Sequence, residues 1–222
     1  MLGVSFYKPK EYFSGMFNRF VAWMTSGNFC HTELVIQAKP ADIMDTIKNI
    51  YKNAQSKKYH PDDCQRIIAA IESNFFDNRR FRDLAQSSDN IWLSFSLLWG
   101  QPMFVRPLEK HHHDSWFRIP SQDTDNMELR YIDNIKHEHV LETLTFSIEE
   151  LGKNYDTSGA LCSWIPWGAS SKEHYDSYFC SEFVVTTFQK LGYMSELSPT
   201  HTTPNTLYKY IGEQMKYTPS SI

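Results

Sequence analysis

Two hydrophobic periods alternate in blocks along this chain, so it must build both a sheet and helices around its interior. Strand-like composition marks residues 3–7, the run His31-Thr-Glu-Leu-Val-Ile36, and IWLSFSL, PMFVRP, SWFRI and ELRYI between 91 and 145. Helical spacing marks the blocks between them. Phe13, Met16, Phe17, Phe20, Val21 and Met24 share one face of a run that Gly27 stops, and Pro40 ends the strand begun by His31. In 41–88, Ile43, Met44, Ile47, Ile50 and Tyr51 form one apolar face and Cys64, Ile67, Ile68, Ile71 and Phe75 another, with His60-Pro61-Asp62-Asp63 as a start signal. That block reads as an insertion of two or three helices. A short helix is expected around 147–152, then a loop bearing Trp, Pro and Gly to about 177. The last strong element carries Phe179, Phe183, Val184, Phe188 and Leu191 on one face, with Gly192 at the C′ position. The expected fold class is α+β: a single domain over 1–222, with a largely antiparallel sheet packed on the helix that starts near Cys180.

Composition narrows the functional classes. Hydrophobic residues make up 41% of the 222 residues and aromatics 15%, enough for a substantial core. A net charge of −4, with no Lys/Arg cluster interleaved with aromatics, argues against a nucleic-acid footprint. Cys30, Cys64, Cys162 and Cys180 form no CxxC pair and no zinc-ribbon spacing, so reduced thiols in a reducing, cytoplasmic compartment are expected. No apolar run approaches the roughly 20 residues of a membrane span, and the N-terminus does not follow the order of a signal peptide.

Cys180 stands at the beginning of an amphipathic helix, where unpaired backbone N–H groups and the positive end of the helix dipole favour a thiolate. By position alone it reads as a small buried hydrophobe beside Phe179 and Phe183 as readily as a nucleophile, or more so. His31 opens a strand, from which its ring can project toward a helix packed on the same face, as a general base for a thiol requires. Cys30 is a poor partner for it, because adjacent strand residues point to opposite faces. Glu33 lies on the His31 face and could orient the imidazole, or be an ordinary structural glutamate. Glu182 is placed to cap or tether the first helical turn.

Four segments in order, His31-Thr-Glu33-Leu-Val, Gly152-Lys-Asn-Tyr155-Asp156, Tyr178-Phe-Cys180-Ser-Glu182-Phe-Val and Ser198-Pro…Pro204-Asn-Thr-Leu-Tyr208, resemble the circularly permuted branch of the NlpC/p60 papain-like superfamily. The likeness is greatest to members from bacteria and large DNA viruses, and covers most of the chain outside 41–88. It implies a permuted papain-like fold in which the histidine strand precedes the cysteine helix. It further implies Cys180 as nucleophile, His31 as base, and Tyr155 as a hydroxyl beside the nucleophile able to meet an oxyanion. The third, polar position of the family falls on the strand after the histidine strand. Here that strand is IWLSFSL, which offers Ser94 or Ser96 where relatives more often carry a carboxylate, amide or second histidine, and Glu33 is placed to share the orienting role.

The resemblance implies a thiol hydrolase of peptide or amide bonds working through an acyl-thioester, without a cofactor. It leaves open a lipid-directed acyltransferase or phospholipase, as in the related lecithin:retinol acyltransferase group, with peripheral membrane contact, and a non-catalytic virion or scaffold protein. If viral, the chain would reside in host cytoplasm or virion. His111, His112 and His113, between Glu109 and Asp114, and His137 and His139 around Glu138 lack a distant ligand pair at zinc spacing, so no metal is expected. Trp99, Trp164 and Trp167 with Phe95 could wall an apolar groove or belong to the core.

Overall fold

The computed structural model describes residues 1–8, 28–110, 117–118, 127–163, 177–214 and 217–219. The helix expected through Phe13 and Met24, the His111–His113 stretch, Trp164 and Trp167 lie outside them. A seven-stranded sheet is formed by β1 (Leu2–Tyr7), β2 (His31–Ala38), β3 (Ile91–Ser96), β4 (Phe104–Lys110), β5 (Phe117–Arg118), β6 (Met127–Ile132) and β9 (Tyr217–Pro219). Their order is β5-β4-β3-β2-β1-β6-β9 and each adjacent pair is antiparallel. The short strands β7 (Asn154–Tyr155) and β8 (Ser177–Tyr178) pair in parallel apart from it. The class is α+β, as the blocks of sequence period imply.

Strand alternation divides the sheet into two faces. Val4 and Phe6 of β1, Leu34 and Ile36 of β2, and Leu93 and Phe95 of β3 are buried in one cluster with the helices. Val35, Leu108, Met127 and Leu129 form a smaller cluster on the other side. The helices are α1 (Pro40–Gln55), α2 (Pro61–Ile71), α3 (Arg79–Ser87), α4 (His137–Glu149), α5 (Thr157–Cys162), α6 (Cys180–Lys190) and α7 (Pro204–Gln214). A π-turn at Glu72–Phe76 links α2 to α3, and a 3₁₀ turn at Pro199–His201 precedes α7.

The block 41–88 is three helices, and its apolar faces join the main core: Ile43, Ile47, Ile50, Ile67, Ile71, Phe75 and Phe81 share one cluster with the strands and α6. Arg66 of α2 secures the junction. It pairs with Asp63 at 2.7 Å and donates to the backbone carbonyls of Glu149, at 2.9 Å, and Leu151, groups that the end of α4 leaves without helical partners. Gly152 then turns the chain at φ +82°.

The helix expected at 147–152 is instead α4, thirteen residues long from His137 to Glu149. Val140, Leu144 and Ile148 recur every fourth residue and are buried, so the helical period was present. The intervening Thr143, Thr145 and Phe146 lend the segment a strand-like composition. The hydroxyls of Thr143 and Thr145 donate to the carbonyls of His139 and Leu141, at 2.7 and 2.9 Å, which lets the helix hold them.

Candidate active site

Helix α6 fixes the position of Cys180. Phe183, Val184 and Phe188 anchor it in the core, and the Ser181 hydroxyl donates to the Thr202 carbonyl at 2.6 Å. Phe179 is the N-cap, and its N–H donates to the Glu182 carboxylate at 3.2 Å, the tether expected of that residue. Burial, with added repulsion from Asp156, pushes Glu182 up to about 7 despite that bond. Cys180 is the first helical residue and is 5% exposed. It therefore sits where the free N–H groups of the first turn converge.

The start of β2 is fixed from a distant part of the chain. Asn205, at the beginning of α7, clamps the Phe29 backbone: its Oδ1 accepts from the Phe29 N–H at 3.0 Å and its Nδ2 donates to the Phe29 carbonyl at 2.8 Å. The Cys30 N–H then donates to the Tyr7 carbonyl at 2.9 Å, which sets the strand register at His31. Cys30 directs its thiol to the same carbonyl at 3.5 Å, and its burial and the charge of nearby Cys180 push it up to about 12. It stays a thiol at neutral pH.

His31 has two partners. Its Nε2 lies 3.2 Å from Glu33 Oε1, and the Cys180 side chain is near enough to act on the ring electrostatically. Burial alone would lower the imidazole, but the interaction with an ionised Cys180, followed by that with Glu33, raises it to about 9. The meeting differs from the expected one across a shared face: alternation places His31, Glu33 and Val35 on the face away from Leu34 and Ile36, which carry the helical core. His31 meets Cys180 as the first residue of its strand.

Glu33 is 1% exposed and surrounded by donors. Ser94 Oγ and Ser96 Oγ each donate to it at 2.6 Å, Tyr7 Oη donates at 2.8 Å, and Arg106 Nη2 lies 2.5 Å from Oε1. Burial would raise this carboxyl, yet His31 and Arg106 hold it far below the usual carboxylate range. Ser94 and Ser96 thus surround the group that orients His31, which is Glu33. Tyr155, on β7, is the remaining expected residue. Burial first, and then the charge of Cys180, raise its hydroxyl above the ordinary phenol range, so it stays protonated.

Sequence reasoning passed over Tyr7 and Arg106, and gave Asn205 no role beyond its place in the Ser198 to Tyr208 segment. Arg106 left a trace, a charged residue within the apolar PMFVRP strand. Trp99 is exposed while Phe95 is core. Among the described residues no group of three or more His, Cys, Asp or Glu could hold a metal ion, and no helix is long and apolar enough to cross a membrane. His137 lies 3.7 Å from Asp42, and His139 meets the Tyr193 hydroxyl at 3.3 Å. All four cysteines are free. No family model, curated protein or solved structure matches this chain.

Proposed function

We propose that this protein is a cysteine hydrolase of the permuted papain-like type, acting on peptide or amide bonds through an acyl-thioester on Cys180. The observation that carries the reading is the order Cys180, His31, Glu33: the imidazole under the influence of Cys180 is bonded at 3.2 Å to a carboxylate held by donors from β1, β3 and β4. A buried carboxylate so enclosed can fix the imidazole and favour its charged form. With Nε2 engaged by Glu33, Nδ1 is the nitrogen left to exchange a proton with sulfur. The Cys180 thiolate adds to the substrate carbonyl, and the oxyanion is met by the helix-start N–H groups and the Tyr155 hydroxyl. Collapse breaks the C–N bond as His31 gives its proton to the departing amine. Neutral His31 then takes a proton from water, whose hydroxide releases the acid and restores the thiolate.

The test is alkylation of the intact protein with iodoacetamide at neutral pH, read residue by residue by mass spectrometry. Cys180 should react at least tenfold faster than Cys64 or Cys162, and Cys180→Ala should remove hydrolysis while retaining the folded circular-dichroism spectrum. Equal labelling of the three cysteines favours a non-catalytic scaffold and overturns the reading. Labelling of Cys180 by a long-chain acyl probe, but not by peptide-based thiol probes, moves the substrate to lipid acyl groups.

A further inference from the structure

The polar residues around Glu33 come from adjacent strands on one sheet face: Tyr7 from β1, Ser94 and Ser96 from β3, and Arg106 from β4, directly opposite Ser94. Only one of them carries a permanent charge. Arg106 Nη2 reaches Glu33 Oε1 at 2.5 Å and the Tyr7 hydroxyl at 3.4 Å. Lys8, the cation just beyond β1, is committed to Glu128 at 3.0 Å. Tyr7, Cys30 and Tyr155, which also face the site, are held in their neutral forms, and the charge of Asp156 acts on Tyr155 from beyond them. Once Cys180 gives up its proton, its thiolate, an imidazolium at His31, the Glu33 carboxylate and the Arg106 guanidinium make a row of alternating charges that sums to zero.

We propose that Arg106 is a positioning residue for Cys180: through Glu33 and His31 it neutralises the carboxylate, so that the site can hold a thiolate at neutral pH. The proposal rests on reading Cys180 as the nucleophile. Arg106 is poorly suited to a purely stabilising role. Its Nε is buried with no hydrogen-bond partner among the described residues, and a buried ion pair contributes less to stability than well-packed apolar groups of similar volume often do. Its electrostatic role, by contrast, has a definite sign. Without the guanidinium, the ionised site carries net negative charge, and each of its groups holds its proton more tightly.

The test is the pH profile of Cys180 alkylation by iodoacetamide in the intact protein and in Arg106→Gln and Arg106→Lys. Arg106→Gln keeps an N–H donor near Glu33 but removes the charge. Its acid limb, where the thiolate forms, should move up by about one to three pH units, while Arg106→Lys stays close to the parent. A uniformly slower Arg106→Gln reaction with an unmoved limb overturns the proposal. So does failure of Arg106→Gln to fold, judged by circular dichroism, which makes the arginine a structural requirement. If Cys180 in the parent protein proves no more reactive than Cys64, the nucleophile reading fails separately. The electrostatic link is then read from the His31 imidazole by NMR in Cys180→Ala. Arg106→Gln should raise its titration midpoint, and an unchanged midpoint rejects the link.

Discussion

Glu33 supports the charged form of the ring beside it, and that makes a prediction with a fixed sign. Its hydrogen bond and charge are among the effects that raise His31 to about 9, so Glu33→Gln removes part of that support while keeping the size of the side chain. The basic limb of the Cys180 alkylation profile, where the imidazolium loses its proton, should fall by a unit or more, about the size of one close opposite charge. A basic limb left at its original pH would mean that Glu33 does not govern the ring. The His-x-Glu spacing made Glu33 legible, since residues two apart on a strand share a face. The two serines were legible as candidates on the next strand. Their joint use was not, because it depends on register, Leu34 opposite Phe95 and Val35 opposite Ser94, and composition does not specify that alignment. Tyr7 and Arg106 reach Glu33 by the same lateral route.

Among the elements, α7 has the least obvious link to the site and a direct mechanical one. Asn205 satisfies both backbone polar groups of Phe29, two residues before His31, from 176 positions away in sequence. Asn205→Ala leaves a buried N–H and carbonyl without this partner and should cost about 2–4 kcal/mol by chemical denaturation. Asn205→Asp retains an acceptor for the N–H but faces the carbonyl with another oxygen, so it cannot restore the pair. Both variants should also slow Cys180 alkylation, because His31 loses its fixed starting point. Unchanged stability and reactivity would show that β1 pairing alone holds this end of β2. Helix α6 was readable from its apolar face and from Gly192, which takes φ +81° just past the helix end. Helix α4 was not read at full length, because its buried Thr143 and Ser147 interrupt the apolar stripe with residues of weak helix preference.

At the scale of the whole molecule, the three helices after β2 look in sequence like an addition to a smaller fold, yet their packing makes them part of its interior. Ile47 is fully buried in the same cluster as Leu34, Val184 and Phe188, and Arg66 fastens α2 to the end of α4. An appendage that could open independently would need an interface of its own, with few side chains shared with the core. Two outcomes separate these arrangements. If α1–α3 belong to one cooperative unit, Ile47→Ala should lower the global unfolding free energy by about 2–5 kcal/mol, and replacing 41–88 by a short linker should leave no cooperative unfolding transition. If they formed a detachable cover, Ile47→Ala would accelerate amide exchange within 40–87 while leaving the global midpoint in place. The shared core favours the first outcome, which would make the block part of the framework that holds β2 and α6 together at His31 and Cys180.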